Sequence, residues 1–505
     1  MLLRSLSIVI LLLVLFTPLA GFTQESGSAP PEAGDPSKVQ GPGLNGEPLG
    51  QGPPKADPSP SSTEKPKPVL NWETGAGKSY LIPLFEIGGY IFLLNQFDRH
   101  FVDPTSDYKS NFNTFWKHLT EWNWVVDDDQ FEVNQFLHPY GGTVYYGLGR
   151  SAGLNFWESS FYTALGSFLW ELGGETTTPS INDQYTTTFG GIFLGEPLFR
   201  MASLLLETDE DGKPGFWREL AAAVLSPPTG FNRLVFGNRF DTVYPSHKPA
   251  TFMRFMVGGT LTSSSHNVSS DVEPYGAVAD VEVQYGLPGK PDYTYKRPFD
   301  YFDFHLTAVT ANAVESIDTR GTLLATTYAP NPSLRGIWGL YGTYDYISPQ
   351  VFRVSTAAFN LGTTWQWWAA DDVALQGTVL AGAGYGAAGN IEKTGNRDYH
   401  YGFTPQGLLA LRLIFSDRLM LDLTGREFYV TGLLSKEPNG TENILRGDAS
   451  LTYRIYDRHG IALRYVTSHR DASYPNIQYQ DQTVGTLSLM YVFLGKSKFG
   501  AVEWR

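Results

Sequence analysis

The chain has 505 residues, with 37 Lys and Arg against 51 Asp and Glu for a formal net charge of -14, which excludes the basic footprint of a nucleic-acid-binding surface. It contains no cysteine, so disulfides, thiolate metal sites and a lipid-modified cysteine are excluded as well. Only 17% of residues are charged and there are 53 Gly, 28 Tyr, 32 Phe and 12 Trp, yet the mean hydropathy is slightly negative; this is the composition of a barrel whose strands face lipid on one side and a polar lumen on the other.

The N-terminal residues 1–23 read as a secretory signal peptide. Arg4 supplies the positive start, Ile8 to Phe16 is apolar, and the small residues Ala20 and Gly21 follow. From 24 to 68 the chain is rich in Pro, Gly and Ser and lacks the apolar content to bury a core, so a disordered tether is expected there.

Residues 69–225 change to a helical pattern. Tyr80 to Phe97, Phe156 to Gly173 and Ile181 to Leu206 are long apolar stretches without strict alternation, carrying small residues suited to close helix packing. Within them, Leu81 to Phe85 and Ile91 to Leu94 are expected to form helical core, or else to touch the inner leaflet. Thr74 to Ser79 looks like a phosphate-binding loop, but Trp72 stands where the leading glycine is required. Asp127, Asp128 and Asp129 lack the frame of a calcium loop and read as a solvated turn that starts a helix.

A more serious set is His138, Glu171, Glu175, Asp183 and Glu196. Carboxylates beside an imidazole are the groups that general acid–base chemistry or a metal would use. Each also has a structural reading. Ser180 and Asp183 fit a reciprocal capping box at a helix beginning near Ile181. His138 is expected to be hydrogen-bonded at a helix start set by Pro139. Glu171, Glu196 and Arg200 are expected to form buried ion pairs between apolar helices. Glu171 and Glu175 share a helix face only if Gly173-Gly174 does not end the helix.

The order Asp127-Asp128-Asp129-Gln130-Phe131, Asn134, His138-Pro139-Tyr140, Tyr145-Tyr146, Arg150, Gly153, Trp170-Glu171, Glu175, Pro179-Ser180, Asn182-Asp183, Thr187, Gly191, Gly195-Glu196 and Arg200 resembles the bacterial family catalogued as domain of unknown function 3943. The resemblance is strong from about Trp124 to Arg200 and extends to the rest of the chain only in type. It implies an outer-membrane protein and brings no established activity.

After these helices, 226–249 is expected to be a connector, because Ser226-Pro227-Pro228-Thr229-Gly230 disfavours continuous helix. The barrel is then expected over 250–494. Leu409, Leu411, Leu413 and Phe415 alternate with Leu408, Ala410, Arg412 and Ile414, and the same period of two recurs in segment after segment. Twelve strands are expected, near 250–263, 273–288, 298–314, 318–329, 333–346, 352–368, 371–386, 400–416, 418–431, 443–457, 459–469 and 482–494. Asp417 and Arg458 mark tight periplasmic turns, whereas 389–399, 436–442 and 470–481 are longer polar connections suited to the outer side. Leu487, Leu489, Tyr491 and Phe493 resemble the closing-strand signal read by the barrel-assembly machinery, and 495–505 is left as a tail.

The predicted fold is therefore mixed: an N-terminal helical domain followed by an antiparallel transmembrane β-barrel of about twelve strands in the outer membrane of a Gram-negative envelope. The helical domain is expected at the periplasmic mouth or partly plugging the lumen. Three roles fit. One is a pore, transporter or lipid-handling protein. A second is a membrane-embedded hydrolase or lipid-modifying enzyme using His138 and nearby carboxylates. The third is a structural or assembly partner. Outer-membrane lipids and the assembly machinery are the expected partners, and no cofactor or nucleic acid is expected. No Ser-containing nucleophile elbow is present.

Overall fold

The computed structural model describes residues 70–102, 107–127, 129–207, 214–237, 248–265, 272–391, 399–434, 440–475 and 477–504. The expected signal peptide and tether lie outside the described residues. The three long apolar stretches are helices: α1 is Leu81–Phe97, α4 is Phe156–Gly173, and Ile181–Tyr185 (α5) continues through a π-helical turn into Gly191–Leu206 (α6). Between them lie α2 (Phe112–Glu121), a π-helical turn Val133–Leu137 and α3 (His138–Ser151). α7 spans Phe216–Leu225.

The expected connector begins differently. Pro227–Phe236 forms a further helix, α8, with proline at its first positions, where a missing N–H costs no helical hydrogen bond. The Pro-Pro pair therefore starts a helix instead of preventing one.

Twelve antiparallel strands follow and close on themselves, each pairing with its sequence neighbours and β1 with β12. They are β1 Thr251–Ser265, β2 Tyr275–Tyr285, β3 Phe302–Val309, β4 Ser316–Asn331, β5 Leu334–Ile347, β6 Phe352–Ala370, β7 Val373–Asn390, β8 Tyr399–Phe415, β9 Leu419–Val430, β10 Thr441–Tyr456, β11 His459–Tyr474 and β12 Ile477–Leu494. The stretch 470–481, expected as a long loop, is mostly strand, because β11 and β12 stay paired as far as Tyr474 and Ile477. At the tight Ser416-Asp417 turn both residues have positive φ (48° and 51°), the twist that matches a two-residue hairpin.

Cross-barrel contacts settle which side chains face inward. Arg254 on β1 bonds Asp422 on β9 at 2.7 Å, Arg464 on β11 bonds Asp280 on β2 at 2.5 Å, and Arg412 on β8 bonds Glu282 on β2 at 2.6 Å. None of these strands are neighbours, so the contacts cross the lumen. The alternate positions face outward, and Leu409, Leu451, Leu463 and Leu489 are exposed there.

On β2 to β7 part of that outward face is covered. The registered row Val283, Phe304, Thr319, Tyr344, Ala357 and Tyr385 lies on the outer wall, and all but half-buried Tyr385 are buried. What covers it is the helical domain. The Thr319 hydroxyl donates to the Phe193 carbonyl at 2.9 Å, the Tyr344 hydroxyl to the Gln135 carbonyl at 2.5 Å, and the Tyr185 hydroxyl to the Ala357 carbonyl at 3.0 Å. The expectation of a helical plug or a domain at the periplasmic mouth is thereby corrected. The lumen is already filled by its own charged side chains, and apolar helices find their complement on the apolar outer wall.

The C-terminal tail takes the place expected of a plug. Phe499 is fully buried beside Phe252, and the Val502 carbonyl accepts from Gln366 Nε2 at 2.7 Å and Trp368 Nε1 at 3.1 Å, both inward side chains of β6. At the opposite end, Ile347, Phe352, Val354, Phe428 and Ile444 close the lumen with an apolar cluster.

Helix docking depends on a missing side chain. A Cβ on Gly342 would lie 2.4 Å from the Phe193 ring, which is itself buried. Gly342→Leu is expected to cost about 1–3 kcal/mol through overpacking and to loosen the helical domain while the barrel stays folded. Urea unfolding in detergent, read by helix-specific proteolysis and by barrel heat-modifiability, separates the two effects.

Candidate functional site

The five candidate residues fall into two groups. His138 opens α3, Glu171 lies in α4 and Asp183 in α5, and the three meet with Asp127 where those helices converge. His138 Nε2 is 3.9 Å from Asp183 Oδ2, and its Nδ1 is 3.2 Å from the Thr187 hydroxyl. Among the described residues no lysine or arginine is paired with Asp127, Glu171, Glu175 or Asp183, so each carboxylate lies in the field of the others.

The helix start at Ser180 is built differently from the expected box. Ser180 Oγ accepts from the Asp183 N–H at 3.2 Å, but Asp183 does not return the bond. The Ser180 N–H donates instead to Glu171 Oε2 at 2.7 Å, so a carboxylate from the neighbouring helix completes the cap. Asp183 Oδ1 accepts from Asn182 Nδ2 at 3.1 Å, leaving its other oxygen turned to His138. The ion pair expected for Glu171 is replaced by this backbone contact.

Glu175 is not on a shared helix face with Glu171, because α4 ends at Gly173. It lies in the following connection, accepting from Trp170 Nε1 at 3.1 Å and the Thr177 hydroxyl at 2.9 Å. Burial pushes its carboxyl up to about 7, with Asp129 and Asp127 adding and the two hydrogen bonds opposing.

Glu196 belongs to a separate structure. Its carboxylate accepts from Arg150 Nε (2.7 Å), Arg200 Nε (2.7 Å) and the Tyr146 hydroxyl (2.7 Å), all buried. Arg200 continues to Asp300 at 3.1 Å and to the Pro298 carbonyl at 2.7 Å, both in the β2–β3 connection. This chain of charges ties α3 and α6 to the barrel. The ion-pair reading holds for Glu196 and Arg200, and the partners the sequence reading lacked are Arg150 and Asp300.

Asp127, Asn134 and Asn182, which carry the family resemblance, form a polar seam with the barrel together with Gln135. Asn134 Nδ2 reaches Asp127 Oδ1 at 2.7 Å and the Tyr399 hydroxyl at 3.0 Å, while the Tyr401 hydroxyl accepts from Gln135 at 3.0 Å and Asn182 at 2.9 Å. Tyr399 and Tyr401 on β8 had no sequence signal beyond their alternation.

The lumen holds a second polar constellation that sequence reasoning did not assemble. Arg254, Arg412, Arg426 and Arg464 line a cavity of about 100 Å³ together with Glu282, Asp318 and Asp422, and their ion pairs extend to Asp280 and Asp345. Its signal was present as charged residues spaced by two or four on single strands, such as Asp280 and Glu282 on β2, Asp318 and Arg320 on β4, and Asp422 and Arg426 on β9. His469, Asp471 and Asp481 are the one described group with His and carboxylate atoms close enough for a cation, within 4.8 Å of one another on β11 and β12.

Residues 123–228 match the family model described as Domain of unknown function (DUF3943). No curated protein matches the chain. Among solved structures, the chain is similar to the NanC porin at 8% identity and a TM-score of 0.24, covering 47% of this chain and 98% of that one. It is also similar to the KdgM porin in complex with disordered oligogalacturonate, at 7% identity and a TM-score of 0.22, covering 48% and 98%. The outer membrane channel DcaP of Acinetobacter baumannii matches at 5% identity and a TM-score of 0.23, covering 48% and 96%.

Two outcomes follow from the carboxylates. Glu196→Gln leaves two buried guanidinium groups without their shared anion and is expected to cost roughly 3–5 kcal/mol, read as a lower urea midpoint for helix docking. Glu175 acts through pH. Between 4.5 and about 7 the folded state holds a proton that the unfolded chain releases, so its stabilising contribution is full below that window and is lost as pH rises through it. Unfolding midpoints measured across pH 5 to 8 should fall with pH in the parent, and Glu175→Gln should flatten that slope.

Proposed function

We propose that this chain is an outer-membrane protein of the pore or transporter class whose polar lumen is held shut at both ends. The observation that carries this reading is the layering inside the barrel. Charged side chains surround a cavity in the middle, while apolar clusters and the C-terminal tail close the two mouths. Charged and polar side chains around a cavity suit the passage of small polar solutes. The exposed apolar outer face of β9 to β12 supports a bilayer setting, and the tight turns together with the tail mark the periplasmic end.

In this reading the tail obstructs one mouth and the cluster around Phe352 and Phe428 the other. Phe499 and Trp504 sit in the mouth through packing and a few hydrogen bonds, with Trp504 Nε1 donating to the Pro332 carbonyl at 2.9 Å. Its loss leaves β12 and the β1–β12 seam intact, since β12 ends at Leu494.

Planar-bilayer recording tests the proposal. The full chain is expected to be nearly silent, and a chain ending at Gly495 that also carries Phe352→Ala and Phe428→Ala in the far cluster is expected to show discrete conductance steps, enlarged further by Arg412→Ala within the lumen. A truncated barrel with all three substitutions that is folded by heat-modifiability and still silent would rule out the passage.

A further inference from the structure

The helical layer presents an unusual free surface. Along α1, Leu81, Leu84, Phe85, Phe92 and Leu93 are exposed at i, i+3, i+4 spacing, so they form one continuous stripe. Gly88 and Gly89 fill the gap in that stripe, and no charged residue interrupts it. An ordinary surface helix shows the opposite arrangement, with its polar face outward. The acidic residue of α1, Glu86, is turned inward, where Asn232 Nδ2 lies 3.4 Å from its carboxylate. On α4, Trp157 and Phe161 continue the apolar surface at 56% and 65% exposure.

We propose that this face lies against lipid acyl chains, so that the helical layer is immersed in the bilayer beside the barrel. Three observations point to acyl chains as the occupant. First, the layer is docked on the outer wall of β2 to β7, and that wall is continuous with the exposed apolar face of the same barrel. Second, α1 has 17 residues, about 25 Å at the rise of an α-helix, which is the height of the apolar band on an outer-membrane barrel. Third, apart from inward-turned Glu86, the polar groups of this segment gather at its two ends. Lys78 and Tyr80 bind Glu158 at one end, at 2.8 Å and 2.6 Å, and Asn95, Asp98, Arg99 and His100 stand at the other. Interfacial residues bracket a membrane-crossing segment in this way.

The inference rests on the reading of the barrel as membrane-spanning, and the experiment separates the two. The chain contains no cysteine, so single nitroxide labels are site-specific without further changes. Labels at Phe85→Cys and Phe92→Cys are compared with Leu409→Cys on the outer face of β8 and with Glu503→Cys, an exposed position of the tail. The full chain is reconstituted in dimyristoylphosphatidylcholine vesicles, and collision with oxygen and with a water-soluble nickel chelate is measured. Both α1 labels are expected to match Leu409, with oxygen collisions high and nickel collisions lost. Nickel collisions at the level of Glu503 would place the helices in water and overturn the proposal. Low collision with both reagents would mean that a protein surface covers the stripe, which also overturns it. If Leu409 itself collides with nickel, the membrane reading of the barrel fails and takes this inference with it.

Discussion

Each strand of a closed barrel has two faces and no edge, and every other feature of this molecule answers to that constraint. An inward side chain must find a partner across the lumen, and an outward one must be covered by something apolar. The inward solution is electrostatic: Arg254 bridges Glu282 on the adjacent strand and Asp422 on the opposite wall, while Arg412 holds the same two carboxylates from the other side. Such pairs stabilise little relative to apolar packing, but removing one member leaves the others buried without compensation. The network therefore specifies a single arrangement of strands more than it adds to stability.

The outward solution divides the wall. One part is left as leucine, valine and aromatic side chains, and the other is taken by helices whose contact residues are partly polar. Arg353 occupies an outward position on β6 yet is fully buried, reaching Glu132 at 3.2 Å and lying 4.9 Å from the Phe131 ring centre. A buried guanidinium on an outer wall is costly unless a matching partner is supplied. Here the helical domain supplies it, so docking has one correct register. Phe299 makes a related commitment from the β2–β3 connection. It adopts a positive φ of 60°, rare for a side chain of this size, and places its ring against Phe156 and Phe193.

The barrel was legible in the sequence because a period of two is local: Leu409 to Phe415 announce their faces without reference to anything distant. The helices at Tyr80 to Phe97, Phe156 to Gly173 and Ile181 to Leu206 were legible for the same reason. What the sequence did not disclose was which surfaces meet. An apolar helix fits a lumen, a mouth or an outer wall equally well by composition, and only the filling of the lumen by Arg254, Arg412, Arg426 and Arg464 decides among them. The site residues show the same divide. Glu196 and Arg200 were expected among buried ion pairs, but Asp300 lies a hundred residues away in an irregular connection. Ser180 was legible as a cap, while its second partner, Glu171, depended on how α4 packs beside α5. The proline pair at 227 and 228 misled because proline ends a helix from within and begins one from its first turn, and the sequence alone did not say which position it held.

The tail has a mechanical consequence. A ring of strands deforms most easily by flattening, since that bends the wall without breaking a hydrogen bond. The tail leaves the ring at β12 and is fastened at β6, six strands away and hence on the opposite side of a twelve-strand circle. It is a tie across a diameter. Ovalisation along that direction must stretch the contacts of Gln366, Trp368 and Gln376 with the tail backbone. The rim at which β12 ends is thus braced across one diameter, and the far rim is held by the packing of Ile347, Phe352 and Phe428 and by side-chain bonds between separated strands, Gln482 on β12 to Asn390 on β7 at 3.0 Å and Tyr474 on β11 to His400 on β8 at 2.8 Å. The two rims thus resist flattening by different means, a backbone tie at one and paired side chains at the other.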